Sequence, residues 1–328
     1  MSEVPVVIHQ AERLMLRAAR KLAYPRGVPP KSLPTMSGEE LNSYIREALL
    51  ADKPLMVARF GSVELSSGLY PYLSSLPLHE RYRLFIQKKI EWLHPSESYA
   101  RSLVKPLCNN AGFFPDDTSL LPEFSKLMQR DVQSLSCCCC VEWEREDLWQ
   151  DFFPKDIVFG TLNEMEPYDY AEPWSKSLSG KKVLVVHPFS DSIRKQYERR
   201  NLIWSNPDVL PSFDLKTIKA VQSIANEEVP YSNWFEALDS MKRQMDGIDY
   251  DIAIIGCGAY GFHLAAHAKR QGKKAIHLGG ATQILFGIKG KRWDELPEVS
   301  KFYNEYWVYP SSEETPQNKG RVEGGCYW

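Results

Sequence analysis

Gly256, Gly258 and Gly261 stand in a G-x-G-x-x-G pattern, directly behind the apolar run 252–255 and ahead of a stretch with helical periodicity. Glycines at this spacing let a backbone turn tightly and approach a phosphate, which the unpaired N–H groups opening the next helix can bind. Ala259 and Tyr260 complete the turn. A strand–helix turn without a ligand is the alternative. A dinucleotide site would differ from this pattern. The next apolar run ends in His277-Leu-Gly-Gly280, with no Asp or Glu for a ribose, and too little chain follows for a second mononucleotide half. A nucleoside diphosphate is therefore expected here rather than NAD.

Arg59-Phe-Gly-Ser-Val-Glu64 ends another apolar run. An Arg at a strand end can pair with two oxygens of a phosphate or carboxylate, and Gly61 and Ser62 turn the chain behind it. Glu64 has the chemistry to ligate a divalent cation or accept a proton. A structural Arg59–Glu64 ion pair is the competing explanation. The run 183–187 ends in His187, and Ser190 and Ser192 follow where hydroxyls either cap a helix or hold a phosphate. Gly279, Gly280 and Gln283 lead into Gly287-Ile-Lys-Gly-Lys-Arg-Trp293. Its cations Lys289, Lys291 and Arg292 beside Trp293 suit an anionic ligand with a planar or sugar ring; a solvated basic loop is the alternative. Nucleophilic catalysis finds no support, since no G-x-S-x-G elbow occurs and no Cys has a His in a known local signature. His263 and His267 lack the H-E-x-x-H context of a zinc site and read as packing or surface residues.

Strand ends must hold these residues. Strands are predicted at the run entering Arg59 and at 137–141, 183–187, 252–256 and 275–278. Helices are predicted at 79–93, 126–132, 190–200, 215–225, 234–245 and 261–271, and at 37–50, which opens on a capping box from Ser37 to Glu40. Short apolar strands without alternation are buried on both faces, which gives an α/β class with a Rossmann-like, mostly parallel sheet and flanking helices. Cys137 to Cys140 point to alternate faces of their strand and cannot close a metal site by themselves. They read as small apolar residues in a reduced protein, with a surface redox or acylated cluster as the alternative.

Residues 7–23 form a basic amphipathic helix, and Tyr24-Pro-Arg-Gly-Val-Pro-Pro30 breaks it. Such a helix either caps the domain with a solvated basic face or touches the inner membrane peripherally. The expected organisation is a helix and linker at 1–30, one α/β domain at 31–310, and a tail at 311–328 that packs back through Cys326-Tyr-Trp328. A net charge of -2 gives no reason to expect nucleic acid as a partner. No apolar run approaches the roughly 20 residues of a membrane span, and no signal-peptide core opens the chain, so a cytoplasmic location is expected.

The order of these motifs resembles that of bacterial glycosyltransferases of the GT-D fold, which act in capsule, O-antigen and cell-surface glycan assembly. Their signature R-F-G-D-G-E is similar to Arg59-Phe-Gly-Ser-Val-Glu64, and their V-L-V-V strand to Val183 through Val186. Their G-P-x-A turn is matched loosely by Gly256-Cys-Gly-Ala259, and their A-I-x-x-G strand by Ala275-Ile-His-Leu-Gly279. The resemblance runs from about residue 40 to about residue 295. It implies transfer of a sugar from a nucleotide-diphosphate donor, a UDP-sugar first among them, to a glycan or glycolipid acceptor in surface polysaccharide synthesis. It also implies Mn²⁺ or Mg²⁺ on a D-x-E pair. The Asp of that pair is Ser62 here, and His277 stands where the later strand carries an acid. Either the metal is held differently or Arg59, Lys289, Lys291 and Arg292 meet the diphosphate. Glu64 is the first candidate for metal ligand or base, and Glu142 the second. A Rossmann-type enzyme using NAD(P) or S-adenosylmethionine, and a noncatalytic protein of a glycan locus, are the alternatives.

Overall fold

A computed structural model describes residues 6–28, 35–140 and 143–328. The strands are β1 (Thr35–Met36), β2 (Leu55–Ala58), β3 (Cys137–Cys140), β4 (Val158–Thr161), β5 (Lys182–His187), β6 (Asp214–Lys219), β7 (Ile252–Ile255) and β8 (Lys274–His277). They form one open sheet in the order β1-β4-β3-β2-β8-β7-β5-β6. Every paired neighbour runs parallel. The helices are α1 (Val6–Ala23), α2 (Gly38–Leu50), α3 (Ser62–Ser75), α4 (Leu78–Ile86), α5 (Glu97–Ala111), α6 (Leu121–Val132) and α7 (Trp143–Glu146). They continue with α8 (Ser190–Glu198), α9 (Trp234–Asp246), α10 (Tyr260–Arg270), α11 (Ala281–Leu285), α12 (Lys291–Asp294) and α13 (Pro297–Ser300).

The central strands lack polar alternation because both sheet faces are covered. Met56, Ala58, Cys138, Leu184, Val186, Ala253 and Ile255 join one buried layer with residues of α3, α5, α6, α9 and α10. Their neighbours Leu55, Val57, Cys137, Cys139, Val183, Val185, Ile252 and Ile254 join the other, with residues of α2, α8, α11 and the tail. The cysteine run is thus divided between two cores, and Cys137, Cys138 and Cys139 are fully buried free thiols. Among the described residues no three His, Cys, Asp or Glu side chains are grouped to hold a metal ion.

Several predicted elements differ. The segment 215–225 is not a helix: its first half is β6, paired in register with the whole of β5. Leu215 and Ile218 have helical spacing, but the open edge of β5 offers a full ladder and Thr217 and Ile218 are β-branched. The helix expected at 79–93 stops at Ile86, and Lys88 takes a left-handed φ of 58° that ends it. Ser37 precedes α2 without a side-chain cap; its carbonyl, not its hydroxyl, accepts the Glu40 N–H at 3.1 Å. The unpredicted α5 does have a cap, since the Ser96 hydroxyl accepts from the Tyr99 N–H at 3.2 Å.

β5 connects outward to β6, whereas the neighbouring β7 connects inward to β8. Connections that diverge in this way leave a crevice at the strand C-termini, where open α/β sheets bind ligands. The two serines yield a test. Ser96→Ala is expected to lower stability by about 1 kcal/mol and Ser37→Ala by less than about 0.5 kcal/mol, read as urea midpoints at constant slope.

Candidate functional site

At the C-terminal ends of β2 and β8 lies a polar cleft of about 310 Å³, whose charged lining comprises Arg59, Glu64, Glu166, Arg292 and Glu323. β2 ends at Ala58, so Arg59 is the first residue past the sheet edge, and Gly61 caps α3. Glu64, in the first turn of α3, folds its carboxylate back over Gly61: a Cβ there would collide with both carboxylate oxygens. Gly61 is therefore a requirement of the Glu64 conformation. Burial pushes the Glu64 carboxyl above the usual carboxylate range; its own backbone N–H and Arg59 pull it back, and Glu323 adds to the rise.

The Arg59–Glu64 ion pair that stood as the competing explanation is not made. No carboxylate among the described residues comes within 4.0 Å of the Arg59 guanidinium, whose Nε donates a long 3.4 Å bond to the Phe60 carbonyl. The guanidinium instead lies beside Gly279, where an added Cβ would stand 3.4 Å from Nη1. Its charge acts on Glu64, Glu166 and His277 without pairing with any of them. An unpaired cation in a cleft that also carries carboxylates is electrostatically free to receive an anion.

The glycine turn is shaped by protein rather than by an open cradle. A side chain on Gly256 would strike the Gly279 carbonyl, the Thr282 hydroxyl and the His187 ring; one on Gly261 would strike the His277 ring. Gly258, at φ 56°, would place a Cβ 2.6 Å from the Ala111 carbonyl. That same carbonyl accepts the Ala259 N–H at 2.9 Å, so part of the α10 N-terminus is already satisfied. Gly256, Gly258 and Tyr260 line a narrower slot of about 80 Å³ that also touches His187, Gly280 and Gln283. Gly258 and Gly280 border both spaces, so slot and cleft adjoin. Ala259 is buried beneath the turn.

His187 and His277 end neighbouring parts of the sheet and are both buried. His187 Nδ1 accepts from the Phe189 N–H at 3.0 Å, which leaves the proton of the neutral ring on Nε2. His277 Nδ1 is 3.3 Å from the Ile255 carbonyl, which can only accept, so its proton sits on Nδ1. Burial lowers both imidazoles from 6.5 to about 3, with Arg59 assisting at His277.

Other expected residues lie elsewhere. Ser190 is buried at the start of α8, but the anion received there is the chain's own Glu314. Its carboxylate accepts from the N–H groups of Asp191 (2.8 Å) and Ser192 (3.2 Å) and from the Ser192 hydroxyl. Lys289 is directed at the rings of Tyr303 and Tyr309, 5.0 and 5.8 Å from their centroids. The Lys291 ammonium lies 3.4 Å from the Gly324 carbonyl. Arg292 does line the cleft, paired with Glu323 and stacked 5.1 Å from the Tyr327 ring. Ser62 lines it as an exposed residue. Gln283 donates through Nε2 to the Lys289 carbonyl at 2.9 Å, while its Oε1 has no partner. Glu142 falls outside the described residues. Glu166, Glu323 and Tyr327 were not anticipated; only the tail aromatics carried a signal, as a segment expected to pack back.

No protein-family model and no curated protein matches the chain. Among solved structures, a selenomethionine-substituted domain of unknown function 1792 superposes with a TM-score of 0.46 at 15% identity, over 92% of this chain and 96% of its own. A second, described as the highly conserved domain of unknown function 1792 with a distinct glycosyltransferase fold, gives 0.44 at 16% identity, over 91% and 96%.

The two imidazoles make a pH prediction. Unfolded, they protonate near 6.5; folded, not until about 3. Between those values the unfolded chain binds more protons, so the contribution is complete above the unfolded value and is lost as the pH falls. By pH 5 the loss is on the order of 2 kcal/mol per imidazole. The melting temperature should drop between pH 7 and 5, and His187→Asn, which keeps an acceptor for Phe189, should flatten that drop.

Proposed function

We propose that the cleft is a sugar-nucleotide site and that the protein is a glycosyltransferase acting in bacterial surface polysaccharide synthesis. The observation that carries this proposal is an unpaired Arg59 guanidinium beside Glu64, a carboxyl of raised proton affinity, at the C-terminal end of a central parallel strand. The spacing of the two within R-F-G-x-x-E supports it through the resemblance to GT-D enzymes. The close packing of Gly256, Gly258 and Gly261 against protein atoms weighs against an NAD(P) or S-adenosylmethionine site at that turn.

In the proposed reaction Arg59, with Arg292 once released from Glu323, offsets the charge that develops on the departing nucleoside diphosphate, UDP by preference. Glu64 takes the proton of the acceptor hydroxyl, on a glycan or glycolipid, as the new glycosidic bond forms and the bond from sugar to phosphate breaks. A carboxyl raised by burial is a better proton acceptor than an exposed one. Mn²⁺ or Mg²⁺ has no preformed cage among the described residues. Such an ion would rest on Glu64 and the donor's own phosphates, neutralising their charge.

Differential scanning fluorimetry with UDP and UDP-sugars tests the site. UDP should raise the melting temperature of the wild type and leave Arg59→Ala unchanged. EDTA should weaken this binding by less than about tenfold, since fixed cations meet the diphosphate. Glu64→Gln should retain the UDP shift while sugar transfer falls by about 100-fold or more. A chain that no nucleoside diphosphate or nucleotide sugar stabilises, with or without Mn²⁺, is not this enzyme.

A further inference from the structure

Among the described residues, few large apolar side chains stand in solvent, and three of them share one helix: Leu14 (64% exposed), Met15 (66%) and Leu22 (84%) on α1. With Ala11 and Ala18 they follow the spacing i, i+3, i+4, i+7 and i+11, which is a single helix face. Among the described residues that face is left exposed, because α1 is held by the opposite one. Glu12 accepts from the Tyr82 hydroxyl and lies 2.7 Å from His94 Nε2. Arg20 donates to the carbonyls of Phe85 and Ile86 and sits 4.9 Å over the Phe85 ring. Arg13 donates to the Glu91 carbonyl at 3.0 Å, and Leu16 packs against the core.

The charges are divided the same way. Glu12 is the sole carboxylate in α1, and it is turned inward. Arg17 and Lys21 border the apolar stripe, are exposed, and form no ion pair among the described residues. The outer face is therefore apolar in the middle, cationic along one border and free of acidic groups.

We propose that α1 docks the protein on an anionic lipid surface, lying in the plane of the interface. Leu14, Met15 and Leu22 enter the acyl boundary while Arg17 and Lys21 meet lipid phosphates. No helix among the described residues is long and apolar enough to cross a membrane, so contact through α1 is interfacial. A second copy of the chain fits this face less well. Antiparallel stripe-to-stripe pairing would bring Arg17 and Lys21 of both copies together with no carboxylate on the face to offset them. The inference does not rest on the activity proposed for the cleft.

Vesicle flotation with the full chain tests it. The wild type should float with phosphatidylcholine vesicles containing about 30% phosphatidylglycerol at least tenfold more than with phosphatidylcholine alone, and should be released by about 0.5 M salt. Leu14→Glu and Leu22→Glu should each abolish flotation, and the Arg17→Glu/Lys21→Glu double variant should reduce it by tenfold or more. All should keep the wild-type melting temperature, since all of these side chains are exposed. Two outcomes overturn the proposal: a wild type that ignores the anionic vesicles, or a Leu14→Glu variant that still binds them. A wild-type dimer in light scattering that Leu14→Glu converts to monomer would assign the face to self-association instead, and overturn it equally.

Discussion

The C-terminal ends of β7 and β8 approach so closely that side chains are excluded between them, and the rest of the candidate site is arranged around that contact. Gly256 admits the Gly279 carbonyl, Gly261 admits the His277 ring, and Gly258 admits the Ala111 carbonyl from the end of α5. Closeness at this point sets Gly279 beside Arg59 and fixes His277 at the edge of the cleft. It also packs protein around both imidazoles, and that burial keeps them neutral. Close packing gives all three glycines a structural role, and the cleft opens where that packing stops.

Electrostatics in the cleft follow from what the chain supplies to itself. The N-terminus of α8 receives an anion from the tail, Glu314, and is thereby satisfied. Arg292 is offset by Glu323, which stands at φ 46° ahead of two glycines that are also left-handed. Among the described residues Arg59 alone of these cationic positions is left without a paired counter-charge, with Glu64 close enough to feel it. The tail is thus part of the site: Glu323 occupies a cation, and Tyr327 joins the wall between slot and cleft.

Much of the fold was legible because the central strands are buried on both faces and therefore appear as uninterrupted apolar runs. That pattern located β2, β3, β5, β7 and β8 and implied a parallel sheet. It failed at the periphery. β6 carries apolar residues three apart and is a strand only because β5 has a free edge, while Ser37 has the sequence of a cap without the geometry of one. Helix α5, whose last carbonyl anchors the glycine turn, was missed altogether.

The sequence by itself determined the α/β class, the buried cysteine strand, and the nearness of Arg59 and Glu64 just past one strand end, since local periodicity and spacing encode all three. Only the tertiary structure decided which cations serve the cleft: Arg59 and Arg292 reach it, whereas Lys289 turns to Tyr303 and Tyr309. It also decided that α1 shows its apolar stripe outward and that the glycine turn accommodates protein atoms. The placing of α1 and of the glycine turn depends on contacts between segments far apart in the chain, such as Arg20 with Phe85 and Ala111 with Gly258. No window of sequence contains both members of such a contact.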